Sequence, residues 1–333
     1  MDIIIFEAEK WEGESFETLA ADHDLRLTNK ALTPDNAGSF MHAEIISTFL
    51  YSDLSMATLA KFNKLRLIAT RSTGFDHIDL GYCDKHGIKV ANVPDYGVTP
   101  VAEHVFTLLL ALSHRLIEAA DRTRRGDFSG RDLRGFDLEG KTIGVIGAGA
   151  IGQGVLRIAA GFGMKRIAFD PHPDNSTAKR LKFEYVDFES LLQRADIITL
   201  HVPANKDTIN MLAREQFDKM KKGVVIINTA RGALIDVVEL VAALYSGKVA
   251  GAGLDVLSAE SAIHEGSKLA RSLFGEKSDL APLLADEILL RLPNVVVTPH
   301  NAFNTREAMS QIINTTSGNI AGYLRGEPKN LIN

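Results

Sequence analysis

Three charged side chains in the last third of the chain have the types needed for one reaction: Arg231, Glu260 and His300. Arginine offers a planar, permanently charged fork that matches a carboxylate. Histidine is the side chain best suited to give and take a proton near neutral pH, and a glutamate beside it favours the imidazolium. These are the parts required to reduce a 2-keto acid with a nicotinamide hydride. Each residue alone has a plainer reading, since a strand-end arginine is usually a surface ion pair and a histidine usually structural. His104 and His114 are read in that plainer way. Arg231, Glu260 and His300 differ because each follows an apolar run that reads as a strand, at 224–228, 253–256 and 294–298. Carboxyl ends of parallel strands converge on one crevice, so residues distant in sequence can meet there.

The elements that must position them follow a glycine-rich turn near the chain's midpoint. Lys141-Thr-Ile-Gly-Val-Ile146 reads as a strand, Gly147-Ala-Gly-Ala-Ile-Gly152 is a G-x-G-x-x-G turn, and a helix can continue from Ile151 to Ala160. The first glycine allows the tight turn, the second admits a pyrophosphate to the backbone, and the third lets helix and strand pack closely. Alone, the motif is weak. It gains weight from the strand at 166–169, which ends in Asp170, where a carboxylate accepts ribose hydroxyls and repels a 2′-phosphate. NAD is therefore expected rather than NADP. A further strand at 197–201 ends in His201-Val-Pro203, on the same carboxyl edge as Asn228-Thr-Ala-Arg231.

A similar alternation precedes the turn. Strands are expected at 3–7, 25–27, 44–49, 65–70 and 89–93, with helices at 55–62 and 76–86, the second closed by Gly87. Pro94 and Pro100 then bracket a punctuated loop, and one long apolar helix is expected from 100 to 125, suggesting an oligomer contact. The stretch 305–324 has helical spacing and could return to the first domain.

Composition narrows the rest. At 333 residues two domains are expected, and 45% hydrophobic against 24% charged residues gives ample core. A net charge of −5 argues against nucleic acid as a partner, and Arg122-Thr-Arg-Arg125 reads as a solvated helix face. The single cysteine, Cys83, permits no intrachain disulfide and no cysteine cage for zinc, so no metal site is expected. The N-terminus lacks a basic leader, and the apolar run from Val105 to Leu112 is too short to span a bilayer. A cytoplasmic protein without membrane partners is expected.

With these residues in view, the chain resembles the D-isomer-specific 2-hydroxyacid dehydrogenase family over nearly its whole length. The resemblance rests on the glycine turn, Leu200-His-Val-Pro203, Asn228-Thr-Ala-Arg-Gly232, Gly253-Leu-Asp-Val256 with Glu260, and Thr298-Pro-His300. It implies an α/β protein of two domains: a Rossmann NAD-binding domain, residues 99–301, inserted in a flavodoxin-like substrate domain made of 1–98 and 302–333. It implies catalysis by Arg231, Glu260 and His300, with Asp255 in support. It assigns cofactor contacts to Gly147, Gly149, Ala150, Ile151, Gly152, Asp170, Pro171, His201, Val202, Pro203, Thr208, Thr229, Ala230, Arg231, Asp255, His300 and Ala302.

Within the family the chain is most similar to the D-lactate dehydrogenase branch. Arg71-Ser-Thr-Gly-Phe-Asp76 resembles the segment whose amides, here of Thr73 and Gly74, hold the substrate carboxylate. Pro94-Asp-Tyr96 and His300-Asn-Ala-Phe303 resemble that branch's pocket segments, so Tyr96 and Phe303 are expected to wall the methyl group of pyruvate. The chain departs from the pattern at Thr73, where an aliphatic residue is common, at Gly97-Val-Thr-Pro100, and through the polar Asn301 and Asn304. The resemblance implies a homodimer that reduces pyruvate to D-lactate with NADH, closing two domains to exclude water. The alternatives are reductases of glyoxylate, hydroxypyruvate, phenylpyruvate or 2-ketoisocaproate, and an NAD-sensing binding protein on the same fold. Glu260 disfavours a formate dehydrogenase, which carries an amide there.

Overall fold

Runs such as Ile3-Ile4-Ile5 and Val224-Val-Ile-Ile-Asn228 lack the polar alternation of a half-solvated strand, so they suit sheets covered on both faces. That is where the computed structural model, which describes residues 1–258 and 280–333, puts them. The described chain divides into two units, Met1–Tyr96 with Asn304–Asn333, and Gly97–Phe303.

The first unit holds five parallel strands: β1 (Asp2–Ile5), β2 (Asp24–Leu27), β3 (Ile45–Thr48), β4 (Leu67–Thr70) and β5 (Lys89–Ala91). Their order, β2-β1-β3-β4-β5, is that of a flavodoxin-like sheet. One face packs on Phe6, Leu54, Leu59 and the buried Cys83, the other on Phe16, Leu19, Ile313 and Ile320. Burial pushes the Cys83 thiol up to about 11, which keeps it protonated in the core. The helix Leu80–His86 is capped by the Asp79 carboxylate and ends at Gly87 in the left-handed region, as the sequence signals. The helix Arg306–Leu324 belongs to this unit, and the tail after it lies along β5. There Leu331 bridges antiparallel to Ala91, and the Ile332 N–H donates to the Val90 carbonyl at 2.9 Å.

The second unit holds β6 (Thr142–Ile146), β7 (Lys165–Phe169), β8 (Glu184–Tyr185), β9 (Ile197–Leu200), β10 (Val224–Asn228), β11 (Val249–Leu254) and β12 (Val295–Val297). All are parallel, in the order β12-β11-β10-β9-β6-β7-β8, a doubly wound Rossmann sheet with one strand added. β8 was not expected, and two further elements differ from expectation. β11 starts at Val249 rather than 253, because its glycines serve packing rather than a turn. A Cβ on Gly253 would lie 2.8 Å from both Ile227 Cδ1 and Leu108 Cβ.

The long helix is two helices, Val98–Ser113 and Leu116–Arg124, joined through Arg115 in the left-handed region at φ 49°. The break has a tertiary cause: the Phe136 N–H takes the Ser113 carbonyl at 3.0 Å. The apolar face of the first helix also differs from the expected oligomer contact. Val105, Phe106, Leu108 and Leu109 are buried within their own unit. Arg122 and Arg125 pair with Glu118 and Asp121 on a helix surface, as a solvated face requires.

Candidate active site

The glycine turn fits the sequence motif in each of its three roles. Gly147 has φ 94°, and a Cβ there would sit 2.6 Å from the His201 carbonyl oxygen. A Cβ on Gly149 would meet nothing within 4 Å, so that face of the turn is open. A Cβ on Gly152 would fall 2.0 Å from the Gly147 carbonyl oxygen, so only glycine lets the helix Ala150–Gly161 approach β6. No side chain caps that helix, leaving its first amides to an anion. Asp170, at the end of β7, holds the turn by accepting the Ala148 N–H on one oxygen and the His172 N–H on the other, each at 2.9 Å.

Beyond β9, the Thr208 hydroxyl donates to the Pro203 carbonyl at 2.6 Å and fixes the loop that begins His201-Val202-Pro203. Desolvation pushes the His201 imidazole down to about 3, so this histidine stays neutral beside Thr199 Oγ1 at 2.9 Å. It can pack or hydrogen-bond but carries no charge.

Arg231 is set by Asn228, the last residue of β10. The buried Asn228 side chain donates to the Arg231 carbonyl at 2.8 Å and accepts the Ala230 N–H at 3.0 Å, closing a tight turn. Gly232 follows because a Cβ there would strike the Leu257 carbonyl carbon at 2.2 Å. Between them, the Thr229 hydroxyl is buried with no hydrogen-bond partner among the described residues. An orphaned hydroxyl here and an open Gly149 are what a dinucleotide lying along this edge would complete. The residues therefore fit NAD.

His300 is set by Asp255, the residue after β11. Three successive N–H groups of the His300 turn donate to Asp255: His300 to its carbonyl at 2.9 Å, Asn301 and Ala302 to its two carboxylate oxygens at 3.0 and 2.9 Å. Thr298 adds its hydroxyl at 2.6 Å. His104, read above as structural, belongs to this cluster, with Nε2 3.0 Å from Thr298 Oγ1 and 3.4 Å from Asp255 Oδ1. Burial pushes the Asp255 carboxyl up, yet the hydrogen bonds from His104, Thr298, Ala302 and Asn301 outweigh it and leave it below the usual carboxylate range. The backbone of His300 is held at φ 49°, a strained value for a side chain of this size.

The second unit thus brings Gly147, Asp170, His201, Arg231, Asp255 and His300 to one carboxyl edge, along with Ala302 and Phe303. Glu260 lies outside the described residues. Thr73, Gly74 and Tyr96 belong to the first unit. Sequence reasoning missed the clamp by Asn228 and the part of His104. The signal for Asn228 was there, a polar residue closing an otherwise apolar strand. Among the described residues no His, Cys, Asp and Glu cluster could hold a metal, and no helix is long and apolar enough to cross a membrane.

A Rossmann sheet whose carboxyl edge gathers a pyrophosphate turn, an arginine and an anchored histidine defines a dinucleotide-dependent oxidoreductase. Residues 106–302 match the family model for the D-isomer specific 2-hydroxyacid dehydrogenase NAD binding domain. The chain belongs to this family and is an NAD-dependent D-2-hydroxyacid dehydrogenase. It is 38% identical to D-lactate dehydrogenase of Escherichia coli over 321 residues, 95% of this chain and 92% of that one. It is 36% identical to glyoxylate reductase of Korarchaeum cryptofilum over 275 residues, 81% of this chain and 76% of that one. Among solved structures, D-lactate dehydrogenase from Aquifex aeolicus complexed with NAD and lactic acid superimposes with a TM-score of 0.86 at 34% identity, covering 98% of this chain and 96% of that one.

Proposed function

We propose that the protein reduces pyruvate to D-lactate in the cytoplasm. The observation that carries the reading is the Asp255-anchored turn presenting His300 on the same sheet edge as Arg231. Arg231 grips the substrate carboxylate together with the Thr73 and Gly74 amides. His300 donates its proton to the carbonyl oxygen as C2 is reduced and takes one back in the reverse direction, with Glu260 as its carboxylate partner. Bound NADH supplies the hydride. Tyr96 and Phe303 wall the methyl group. The similarity to D-lactate dehydrogenases over almost the whole chain supports this substrate; that to a glyoxylate reductase favours, as second reading, another short 2-keto acid.

Initial rates with NADH across pyruvate, glyoxylate, hydroxypyruvate, phenylpyruvate and 2-ketoisocaproate test the choice. The highest kcat/KM is expected for pyruvate, and a tenfold preference for another acid would refute it. His300→Gln should lower turnover at neutral pH by about 100-fold or more. Because reduction consumes a proton, its rate should fall as pH rises while D-lactate oxidation improves.

We also propose that the protein is a homodimer. Leu116, Ile117 and Phe128 stand 56%, 60% and 84% exposed. Ile117 lines a groove of about 210 Å³ together with Leu112, Phe136 and Val296. A second copy covering this face accounts for that apolar surface. Sedimentation should give a dimer, and Phe128→Asp should weaken it; a wild-type monomer at micromolar concentration would end the proposal.

A further inference from the structure

At the Ser72–Gly74 turn of the first unit, three successive carbonyls are tied down. Ser72 accepts the Val93 N–H at 3.1 Å, Thr73 accepts the Asn92 side-chain amide at 2.9 Å, and Gly74 accepts the Ser72 hydroxyl at 2.6 Å. All peptides are trans, so each N–H points opposite to the carbonyl it shares a plane with. Pinning the Ser72 and Thr73 carbonyls toward 92–93 therefore turns the N–H groups of Thr73 and Gly74 the other way. Neither N–H has a hydrogen-bond partner among the described residues, and Thr73 is exposed. The Thr73 hydroxyl is not among the free donors, for it bonds the Val93 carbonyl at 2.8 Å.

The anchor is itself anchored. The Asn92 carbonyl accepts Asn319 Nδ2 at 2.8 Å, and its N–H donates to the Asn330 carbonyl at 3.1 Å. The Asn330 side chain then donates to Asn319 Oδ1 at 2.8 Å. Asn319 is 2% exposed, on the helix face that buries Ile312, Ile313 and Ile320. An amide on such a face costs free energy unless its hydrogen bonds are met. Here both ends are met, and the line they form runs to the carbonyl beside the Gly74 N–H.

We infer that Asn92, held by Asn319 and Asn330, is a positioning residue for the substrate carboxylate, aiming the Thr73 and Gly74 amides at it. This rests on the reading that those amides bind the carboxylate. Steady-state kinetics of the full-length enzyme with pyruvate and NADH test it. Asn92→Ala should raise the pyruvate KM by about tenfold, with the NADH KM unchanged. Asn319→Ala should move it the same way by about threefold, and the double variant should be no worse than Asn92→Ala, since the two act in series. Asn92→Ser, which keeps the backbone contacts but is too short to reach Thr73, should reproduce the KM effect if Asn92→Ala fails to fold. Gly74→Pro, which deletes one proposed donor, separates the two levels. A raised KM in Gly74→Pro with none in the Asn92 variants overturns the relay and leaves the carboxylate reading standing. No change in any of them overturns both. A lowered Tm with an unchanged pyruvate KM in the Asn92 variants would show that the asparagines only dock the tail.

Discussion

Two turns of this molecule are fastened by opposite halves of the peptide group. At Ser72–Gly74 the fold takes three consecutive carbonyls, using an amide side chain, a hydroxyl and one backbone N–H. At His300–Ala302 it takes three consecutive N–H groups, all with Asp255. What each turn can offer a ligand is what its fastening leaves over. The first keeps its N–H groups and carries no charge of its own in the anchors, which suits an anion. The second has spent its N–H groups, so its chemistry is confined to the imidazole. The cost also differs: a carboxylate anchor brings a buried charge and a dependence on pH that neutral anchors avoid.

The contrast is broken most sharply at Asp255. Asp255→Ala strands the Asn301 and Ala302 amides and the Thr298 hydroxyl, so we expect a loss of about 3 kcal/mol in chemical denaturation and a drop in kcat of about 100-fold. An unchanged kcat would mean that the turn holds itself. Asp255→Asn sharpens the point through pH. The native carboxyl lies below its ordinary value of 3.8, so its contribution to stability is complete above that value and is lost as the pH falls through the depressed native one. The acid-side fall in Tm should therefore be shallower in Asp255→Asn than in the wild type.

The glycine turn lies between the two cases, with the Ala148 N–H taken by Asp170 and the next amides left over. Gly149→Ala should leave Tm within a degree, because its Cβ meets nothing, yet weaken NADH binding about tenfold by occupying the pyrophosphate's approach. A fluorescence titration unchanged by this substitution would place the cofactor elsewhere. The smallest effect is expected at Thr73→Val, which removes only the bond to the Val93 carbonyl. About 0.5–1 kcal/mol of stability should go while KM stays level, because Asn92 still holds the turn.

The fold was legible wherever one physical signal acted alone. Ile3–Ile5, Ile45–Ile46 and Val224–Ile227 are apolar without a break, and such runs become strands buried on both faces. The site was legible where chemistry demands a residue type, as at Gly147, Gly149 and Gly152. Reading failed where a distant partner decides. The first half of β11 was missed because its glycines answer to Leu108 and Asn294, far away in sequence. The break after Ser113 is imposed by Phe136. β8 is two residues long and has no pattern to find. Thr73 looked like a departure in the carboxylate-holding segment; its hydroxyl instead fastens the turn to the Val93 carbonyl.

The tail along β5 has a consequence of another kind. β5 is the last strand of its sheet, and an uncovered last strand presents a row of N–H and carbonyl groups that another chain can extend. Leu331 and Ile332 occupy that row in the antiparallel sense, and the Asn333 side chain closes it by accepting the Val90 N–H at 2.7 Å. The four residues from Asn330 to Asn333 thus cover the row that strand-by-strand aggregation would extend.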